Sequence, residues 1–231
     1  MTDSRDFNRE LYPFLYAETR ADAASWDGVL ADARGSTLRK CADIVALRRQ
    51  LRDEFTDPVV DAAMAMARAF IAGGKLLAFG NGGSATDAQD AAVDCLSPPF
   101  ADWRSLPAIA LSSDTGVVTG VANDVGFESV FSRQIIALGE SSDIALGFST
   151  SGSSPNVIAA FREAKRRGML CIALTGNDGG QLVRPGLVDY CFIARLEYIP
   201  RIQEGHATVW HALLEATQAA LTEGLVEVAS A

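Results

Sequence analysis

The sequence predicts an α/β protein with a doubly wound, parallel, five-stranded sheet flanked by helices, preceded by an N-terminal helical extension. Three observations support this prediction. Short apolar runs alternate with longer helical segments along most of the 231-residue chain. The short runs are almost continuously apolar, which is typical of strands covered on both faces. Two of them end in loops rich in serine and glycine, at the edge where such a sheet binds ligands.

The beginning of the chain is predicted to be helical. Residues 1–35 are assigned to the extension and residues 36–231 to the α/β domain. Ser36 is a suitable N-cap for the first helix of the domain. Pro58 is predicted to end that helix, because proline lacks the N–H that a helix interior uses. A second helix is then predicted over 59–72.

The remainder of the chain alternates between strands and helices. Strands are predicted over 75–80, 107–112, 143–149, 169–175 and 188–194. Helices are predicted over 84–96, 115–122, 130–138, 154–167 and 200–226. Because a helix lies between most successive strands, the sheet is expected to be parallel.

Composition limits the functions that this chain can have. Its formal net charge of −9 disfavours nucleic acid and anionic membrane surfaces as partners, and no apolar run reaches the roughly 18 residues of a membrane span. The polar start of the chain lacks the apolar core of a secretory signal, and the four cysteines have no C-x-x-C spacing. We therefore predict a cytoplasmic protein that binds neither nucleic acid nor membrane.

The two loops rich in serine and glycine predict a phosphate site. One covers residues 80–84, after the first strand, and the other covers residues 149–154, after the third. Glycines let the backbone approach a ligand, hydroxyl groups donate hydrogen bonds, and the following helix begins with free N–H groups. One such loop is also compatible with an ordinary tight turn, but two in one domain favour a phosphorylated small molecule.

Three aspartates on the helix after the first loop are candidates for chemistry. Asp87, Asp90 and Asp94 have the i, i+3, i+7 spacing that places them on one helical face. One interpretation is a metal site or a general base. The other is an ordinary polar face, with Asp87 near the helix start because a carboxylate is favoured there by the helix dipole.

Both histidines, His206 and His211, lie in the last predicted helix, where Gln203 is two turns before His211. Histidine serves as acid, base or ligand near neutral pH. A lone helical histidine is more often structural, so a functional role depends on this helix reaching the two loops.

Four motifs occur in an order that resembles a known family. They are Gly80-Asn81-Gly82-Gly83-Ser84, Ser149-Thr150-Ser151-Gly152-Ser153-Ser154-Pro155-Asn156-Val157, Leu174-Thr175-Gly176-Asn177-Asp178-Gly179-Gly180 and Arg201-Ile202-Gln203-Glu204. With them, the chain resembles the sugar isomerase (SIS) domain family from about residue 36 to residue 222, and within it the phosphoheptose isomerase branch. The resemblance implies a flavodoxin-like sheet and the interconversion of sedoheptulose 7-phosphate with a heptose 7-phosphate.

The resemblance also implies a role for each matching residue. The phosphate would be held by Ser149, Thr150, Ser151 and Ser154. The sugar would be contacted by Asn81, Gly82, Ser84, Asp114 and Gln203. Asp94 would be the catalytic base, and His211 would act as acid or base on the facing side. If a metal is bound, it would be one divalent ion, with zinc foremost, held by Asp90, Asp94, Gln203 and His211.

The chain departs from the family pattern on the helix that carries these aspartates. The isomerases have histidine at the position of Asp90, and they have glutamate, one methylene longer, at the position of Asp94. Pro98 stands where the family usually has arginine. The remaining donors contain more oxygen and less nitrogen than typical zinc sites, so we expect a harder ion, weakly bound zinc or no metal.

Three functional hypotheses follow. The first is an aldose–ketose isomerase that works through an enediol. The second is a non-catalytic member of the fold that binds a sugar phosphate as a regulator, or that binds a partner protein as the replication-initiator-associating adaptors do. The third is an isomerase of another phosphosugar or a lyase. The resemblance also implies a homotetramer with active sites at subunit interfaces, and apolar stripes over 7–16 and 38–51 favour association.

Overall fold

The computed structural model describes residues 26–225. The elements, in chain order, are α1 Trp26–Ile71, β1 Leu76–Gly80, α2 Gly83–Leu96, β2 Ala108–Ala110, α3 Thr115–Asp124, the 3-10 turn Phe127–Ser129, α4 Ser132–Leu138, β3 Ile144–Ser149, α5 Pro155–Arg166, β4 Leu170–Gly176, β5 Tyr190–Ala194 and α6 Ile199–Thr222. None of the helices among these residues is long and apolar enough to cross a membrane.

The five strands form one parallel sheet in the order β2-β1-β3-β4-β5. This confirms the predicted fold class. Side chains along β1 point alternately to two apolar layers. Leu76 packs with residues of α1, α2 and α6, and Leu77 packs with residues of α4 and α5. The sheet is therefore covered on both faces, which explains why its strands are almost continuously apolar.

The first helix differs from the prediction in two ways. Ser36 lies inside α1 and does not begin it, and Pro58 also lies inside α1 and does not end it. Both predictions are wrong. Ala62 and Met66, which follow Pro58 on the same helix, are fully buried in the core. This packing outweighs the hydrogen bond that proline removes, because most helical stability in a protein comes from packing rather than from propensity.

The chain divides into two compact units, Met1–Ala42 and Asp43–Ala231. The described part of the first unit belongs to α1, where the side chains of Trp26 and Leu38 are exposed. Residues 1–25, which make up most of the predicted extension, lie outside the described residues. The predicted boundary between residues 35 and 36 therefore stays a prediction.

The strand order places the two loops next to each other. The connections that leave β1 and β3 pass to opposite faces of the sheet, so the point between these two adjacent strands is the switch point of the fold. Both loops follow the carboxyl ends of these strands.

Candidate functional site

The loop after β3 has the shape of an anion cradle. Ser149, which is buried, and Ser154 have their hydroxyl oxygens 3.2 Å apart. Gly152 has a φ of 61°, and a Cβ there would collide with the carbonyl group of Gly179. Ser154 is the N-cap of α5 and its side chain makes no capping hydrogen bond, so its hydroxyl is not committed to the helix. The arrangement presents hydroxyl groups and a helix N-terminus to a ligand, which suits a phosphate.

The remaining residues of this loop are held by a neighbouring turn and by each other. The Thr150 carbonyl oxygen accepts a hydrogen bond from the Asn177 amide at 3.0 Å. The Ser151 hydroxyl accepts the N–H of Ser153 at 3.3 Å. The loop is thus braced by the segment after β4, which includes the Asn177 motif.

The two loops are joined by a pair of amides. Asn81 and Asn156 exchange side-chain hydrogen bonds of 2.9 and 2.8 Å. Asn81 follows β1, and Asn156 lies in the first turn of α5. A role was predicted for Asn81 but not for Asn156, although both lie in the quoted motifs. The pair fixes the first loop against the loop after β3.

The start of α2 lies against α6. A Cβ on Gly83 would collide with the end of the Gln203 side chain, so glycine lets this side chain approach the start of α2 as closely as it does. Ser84, the next residue, is buried. Gly82, which precedes α2, has a φ of 56°. The glycines of the first loop therefore bring Gln203 to the switch point.

Asp87 connects the two helices further along. Its Oδ2 accepts a hydrogen bond from the Gln203 amide at 3.4 Å and lies 3.9 Å from Nδ1 of His206. Asp87 is beyond the first turn of α2, so its interpretation as a helix-start residue is wrong. His206 is 1% exposed, and within residues 26–225 neither of its imidazole nitrogens forms a hydrogen bond. Its ring lies 6.0 Å from that of Phe148, at the end of β3.

Asp94 and His211 are brought together at the other end of α2. The His211 Nε2 lies 3.7 Å from the Asp94 Oδ2. The same carboxylate oxygen accepts a hydrogen bond from the Trp210 indole N–H at 2.9 Å. The Asp94 side chain is 28% exposed and that of His211 is 68% exposed. The Trp210 hydrogen bond thus holds the Asp94 carboxylate in place, while both side chains remain accessible to a ligand. An acid–base pair needs both features.

The four predicted metal ligands are not gathered in one chain. Asp94 and His211 face each other, but Gln203 lies with Asp87, and eight residues of helix separate Gln203 from His211 by about 12 Å. Asp90 is exposed and makes no hydrogen bond within the described residues. No group of three His, Cys, Asp or Glu side chains suited to a metal ion occurs among residues 26–225. One chain thus offers two of the four donors at one place.

Asp114 caps a helix. Its Oδ1 accepts the N–H of Val117 at 3.0 Å, and α3 begins at the next residue. The side chain is exposed in the loop after β2, on the carboxyl edge of the sheet. One carboxylate oxygen therefore remains available to a ligand.

Several residues that build this region were not predicted from the sequence. Trp210 was not predicted to hold Asp94, and Phe100 and Trp103 were not predicted to line a cavity beside it. Two signals were available: Trp210 directly precedes His211, and the aromatic pair follows Pro98, where the chain departs from the family pattern.

Comparison with known proteins identifies the family. The sequence model of the SIS domain matches residues 41–176. The chain belongs to the SIS domain family. It is 44% identical over 179 residues to a phosphoheptose isomerase of Thermodesulfovibrio yellowstonii, an alignment that covers 78% of this chain and 88% of the relative. It is 49% identical over 139 residues to a phosphoheptose isomerase of Burkholderia pseudomallei, covering 60% of this chain and 70% of the relative.

The solved structures agree with this assignment. The phosphoheptose isomerase of Neisseria gonorrhoeae superposes with a TM-score of 0.74 at 36% identity, covering 81% of this chain and 99% of the other. That of Francisella tularensis superposes with a TM-score of 0.72 at 31% identity, covering 83% of this chain and 98% of the other. Almost the whole of each relative thus corresponds to part of this chain, and the rest of this chain lies beyond them.

Proposed function

We propose that this chain is an aldose–ketose isomerase that converts sedoheptulose 7-phosphate to a heptose 7-phosphate through an enediol. The observation that carries the proposal is the pair formed by Asp94 and His211, 3.7 Å apart, in a chain with the phosphate cradle of the SIS family. The related proteins named phosphoheptose isomerase support the choice of substrate.

The cradle after β3 would bind the phosphate. The Ser149 and Ser154 hydroxyl groups would donate to its oxygens, and the dipole of α5 favours the negative charge. Thr150 and Ser151 would add donors from the same turn. Asn81, Ser84, Asp114 and Gln203 would then meet the hydroxyl groups of the sugar chain.

Asp94 and His211 would carry the proton transfers. Aldose–ketose isomerisation removes a proton from the carbon beside the carbonyl group and returns a proton to the neighbouring carbon. Asp94 would take the first proton, and His211 would donate a proton to the oxygen that becomes an enediol hydroxyl. The hydrogen bond from Trp210 fixes the carboxylate, which matters because a displacement near 1 Å costs about 10²-fold in rate.

A complete site would need two copies of the chain, and we propose a homotetramer with sites at subunit interfaces. Eleven residues of α2 separate Gly83 from Asp94, which amounts to about 16 Å of helix. A seven-carbon chain would have to span this interval to join the first loop to Asp94 within one copy. The proposal therefore pairs the cradle of one copy with Asp94 and His211 of another.

We also propose a divalent ion, with zinc foremost, bound where two of the predicted donors meet. Asp94 and His211 would hold the ion. Asp90 and Gln203 would coordinate it only if they moved from their present positions or came from another copy of the chain. Such an ion would stabilise the negative charge that develops on the substrate oxygen. The metal content of the purified protein, and its activity after chelation and after addition of Zn²⁺ or Mn²⁺, test this part.

The cell compartment is also part of the proposal. The four cysteines form no disulfide within the described residues, which suits a reducing cytoplasm.

A non-catalytic regulator or adaptor is the second candidate function. The observation that favours it is Asp90, which is exposed and has no hydrogen-bond partner in the described residues where the isomerases carry a histidine. A protein of this kind would bind the sugar phosphate without converting it.

One experiment separates the two candidates. Sedoheptulose 7-phosphate is incubated with the wild-type protein and with His211→Ala, and product is followed by chromatography. The isomerase proposal expects conversion by wild type and a loss of about 10²-fold or more in the variant. Glu223→Ala, at an exposed position beyond the end of α6, serves as the control. Binding without conversion, at any divalent ion added, would favour the regulator.

A further inference from the structure

A cavity of about 250 Å³ opens beside Asp94 and His211. One wall is aromatic, formed by Phe100 and Trp103, whose ring centroids lie 4.9 Å apart. Leu214 and Glu215 of α6 also line the cavity. Phe100 is 57% exposed, so a large apolar surface faces this opening. A mostly apolar cavity with a few polar groups at its edge is typical of a small-molecule site.

The aromatic wall is held in place by the protein. The Trp103 N–H donates to the Phe100 carbonyl oxygen at 3.1 Å, which closes a tight turn. The next residue, Arg104, exchanges two hydrogen bonds of 2.9 and 2.8 Å with the fully buried Gln218 amide of α6. The Leu106 N–H donates to the Cys95 carbonyl oxygen at 2.8 Å. A segment fixed at these points loses little further freedom when a ligand binds.

Apart from His211, whose imidazole is charged only when protonated, the ionisable groups that line the cavity are carboxylates. Asp94 and Glu215 are carboxylates, and of the described residues that line the cavity none is lysine or arginine. Two carboxylates repel a phosphate or carboxylate group that enters, and they accept hydrogen bonds from hydroxyl groups. The cavity therefore suits a hydroxylated, uncharged group and disfavours an anionic one.

We infer that this cavity binds the unphosphorylated, reacting end of the sugar, and that Phe100, Trp103 and Glu215 set specificity there. The aromatic wall packs on the C–H groups of that end and excludes water from Asp94 and His211. Glu215 rejects sugars that carry a second anionic group at that end. The inference rests on the proposed function, because it takes the Asp94–His211 pair as the reacting centre.

Calorimetric titration tests this inference by binding alone. Three ligands are compared: sedoheptulose 7-phosphate, the corresponding 1,7-bisphosphate and inorganic phosphate. Wild type is expected to bind the monophosphate about tenfold or more tightly than the bisphosphate, because of the two carboxylates. Glu215→Gln is expected to narrow this ratio while the affinity for the monophosphate changes little. Asp61→Asn, on an exposed carboxylate of α1 that does not line this cavity, is the control and should leave the ratio unchanged.

The aromatic wall is tested in the same titrations. Phe100→Ala and Trp103→Ala are each expected to lower the affinity for the monophosphate about tenfold and to leave the affinity for inorganic phosphate unchanged. Trp103→Phe should restore most of the affinity. Ile136→Ala, a similarly exposed apolar residue on α4, should have no effect. Gel filtration of each variant reports whether the surface instead joins copies of the chain.

The outcomes separate this inference from the proposed function. Equal affinity of wild type for the two sugar esters would overturn the inference. The inference would also be overturned if the aromatic variants lost affinity for inorganic phosphate as much as for the monophosphate. A change in their oligomeric state with unchanged affinity would overturn it as well. The expected binding pattern without turnover would leave the inference standing and overturn the proposed function. Turnover without the expected binding pattern would support the proposed function and overturn the inference. Failure to bind either sugar ester would overturn both.

Discussion

A buried polar side chain lies at each end of the central strands, Asp143 at the amino ends and His206 at the carboxyl ends, and the two differ in their hydrogen bonding. At the amino ends of β1 and β3, Asp143 is 1% exposed and accepts three hydrogen bonds: from the Lys75 backbone and ammonium groups and from the Glu140 N–H, at 2.6 to 2.8 Å. At the carboxyl ends of the same strands, His206 is equally buried and has no hydrogen-bond partner in the described residues.

This difference separates a region built for stability from a region built for a ligand. A buried polar group without a partner costs free energy, so a fold keeps one where function requires it. The carboxyl edge also holds glycines in the left-handed backbone conformation, loosely paired carboxylates and an exposed histidine. The amino edge, in contrast, has its buried charge fully paired. Substitutions at the two edges should therefore affect different measurements.

The largest expected effect is on turnover, at the carboxyl edge. Asp94→Asn removes the proposed base but keeps the hydrogen bond from Trp210, so we expect kcat to fall about 10²- to 10⁴-fold with little change in the melting temperature. Steady-state kinetics and thermal unfolding measure the two quantities. Asp61→Asn, on an exposed face of α1, is the control. A normal kcat in Asp94→Asn would remove this carboxylate from the mechanism.

The next effect is on stability, at the amino edge. Asp143→Ala removes the buried acceptor of the Lys75 backbone and ammonium groups and of the Glu140 N–H, so we expect the free energy of unfolding to fall by about 2–4 kcal/mol. Urea unfolding measures it, and the substrate KM of the folded fraction should be unchanged. Asp53→Ala breaks an exposed pair with Arg52 and should cost less than about 1 kcal/mol. Equal losses in the two variants would contradict the importance of burial here.

A smaller effect is expected on substrate affinity, in the phosphate cradle. Gly152→Ala adds a Cβ at a φ of 61° and against the Gly179 carbonyl group. We expect the KM for the sugar phosphate to rise about tenfold, with a loss of about 1–3 kcal/mol in stability. Gly120→Ala, on an exposed face of α3 with open space around it, should instead be neutral or stabilising by up to about 1 kcal/mol. An unchanged KM in Gly152→Ala would show that the loop tolerates the extra atom.

The smallest effect concerns the cysteines. Burial raises the pKa of the Cys95 and Cys171 thiols to about 12 and that of Cys191 to about 11. A raised pKa keeps these groups as thiols at neutral pH, and the thiolate is the reactive form. We therefore expect the exposed Cys41 to react with a thiol reagent at pH 8, and the other three only after unfolding. Rapid labelling of more than one thiol in the native protein would contradict this.

Local patterns in the sequence predicted most of the fold. Apolar runs indicated the strands of the sheet, and glycine and serine after two of them indicated the loops at the switch point. The same patterns failed at Ser36 and Pro58. Both have strong local preferences, but the burial of Ala62 and Met66 on the sheet decides the course of the helix.

The site was predictable where a motif carries the information and not where distant segments meet. The motifs pointed to the serines of the cradle, and the family resemblance that they carry implied roles for Asp94 and His211. No local pattern indicates that Asn156 pairs with Asn81, that Trp210 holds Asp94, or that Gln218 fixes the aromatic turn over a hundred residues earlier. These contacts depend on the packing of α6 against α2 and the segment that follows it, which only the folded chain reveals.

The proposed reaction requires Asp94 and His211 to move a proton between adjacent carbons of a sugar phosphate. It is tested most directly by incubating the wild-type protein with sedoheptulose 7-phosphate in deuterium oxide and following the carbon-bound protons by NMR. We expect a heptose 7-phosphate that carries solvent deuterium at the carbon beside its carbonyl group, and exchange slowed by about 10²-fold or more in His211→Ala. Absence of both conversion and exchange in wild type, with Zn²⁺, Mn²⁺ or Mg²⁺ supplied, would show that these two residues do not perform this proton transfer.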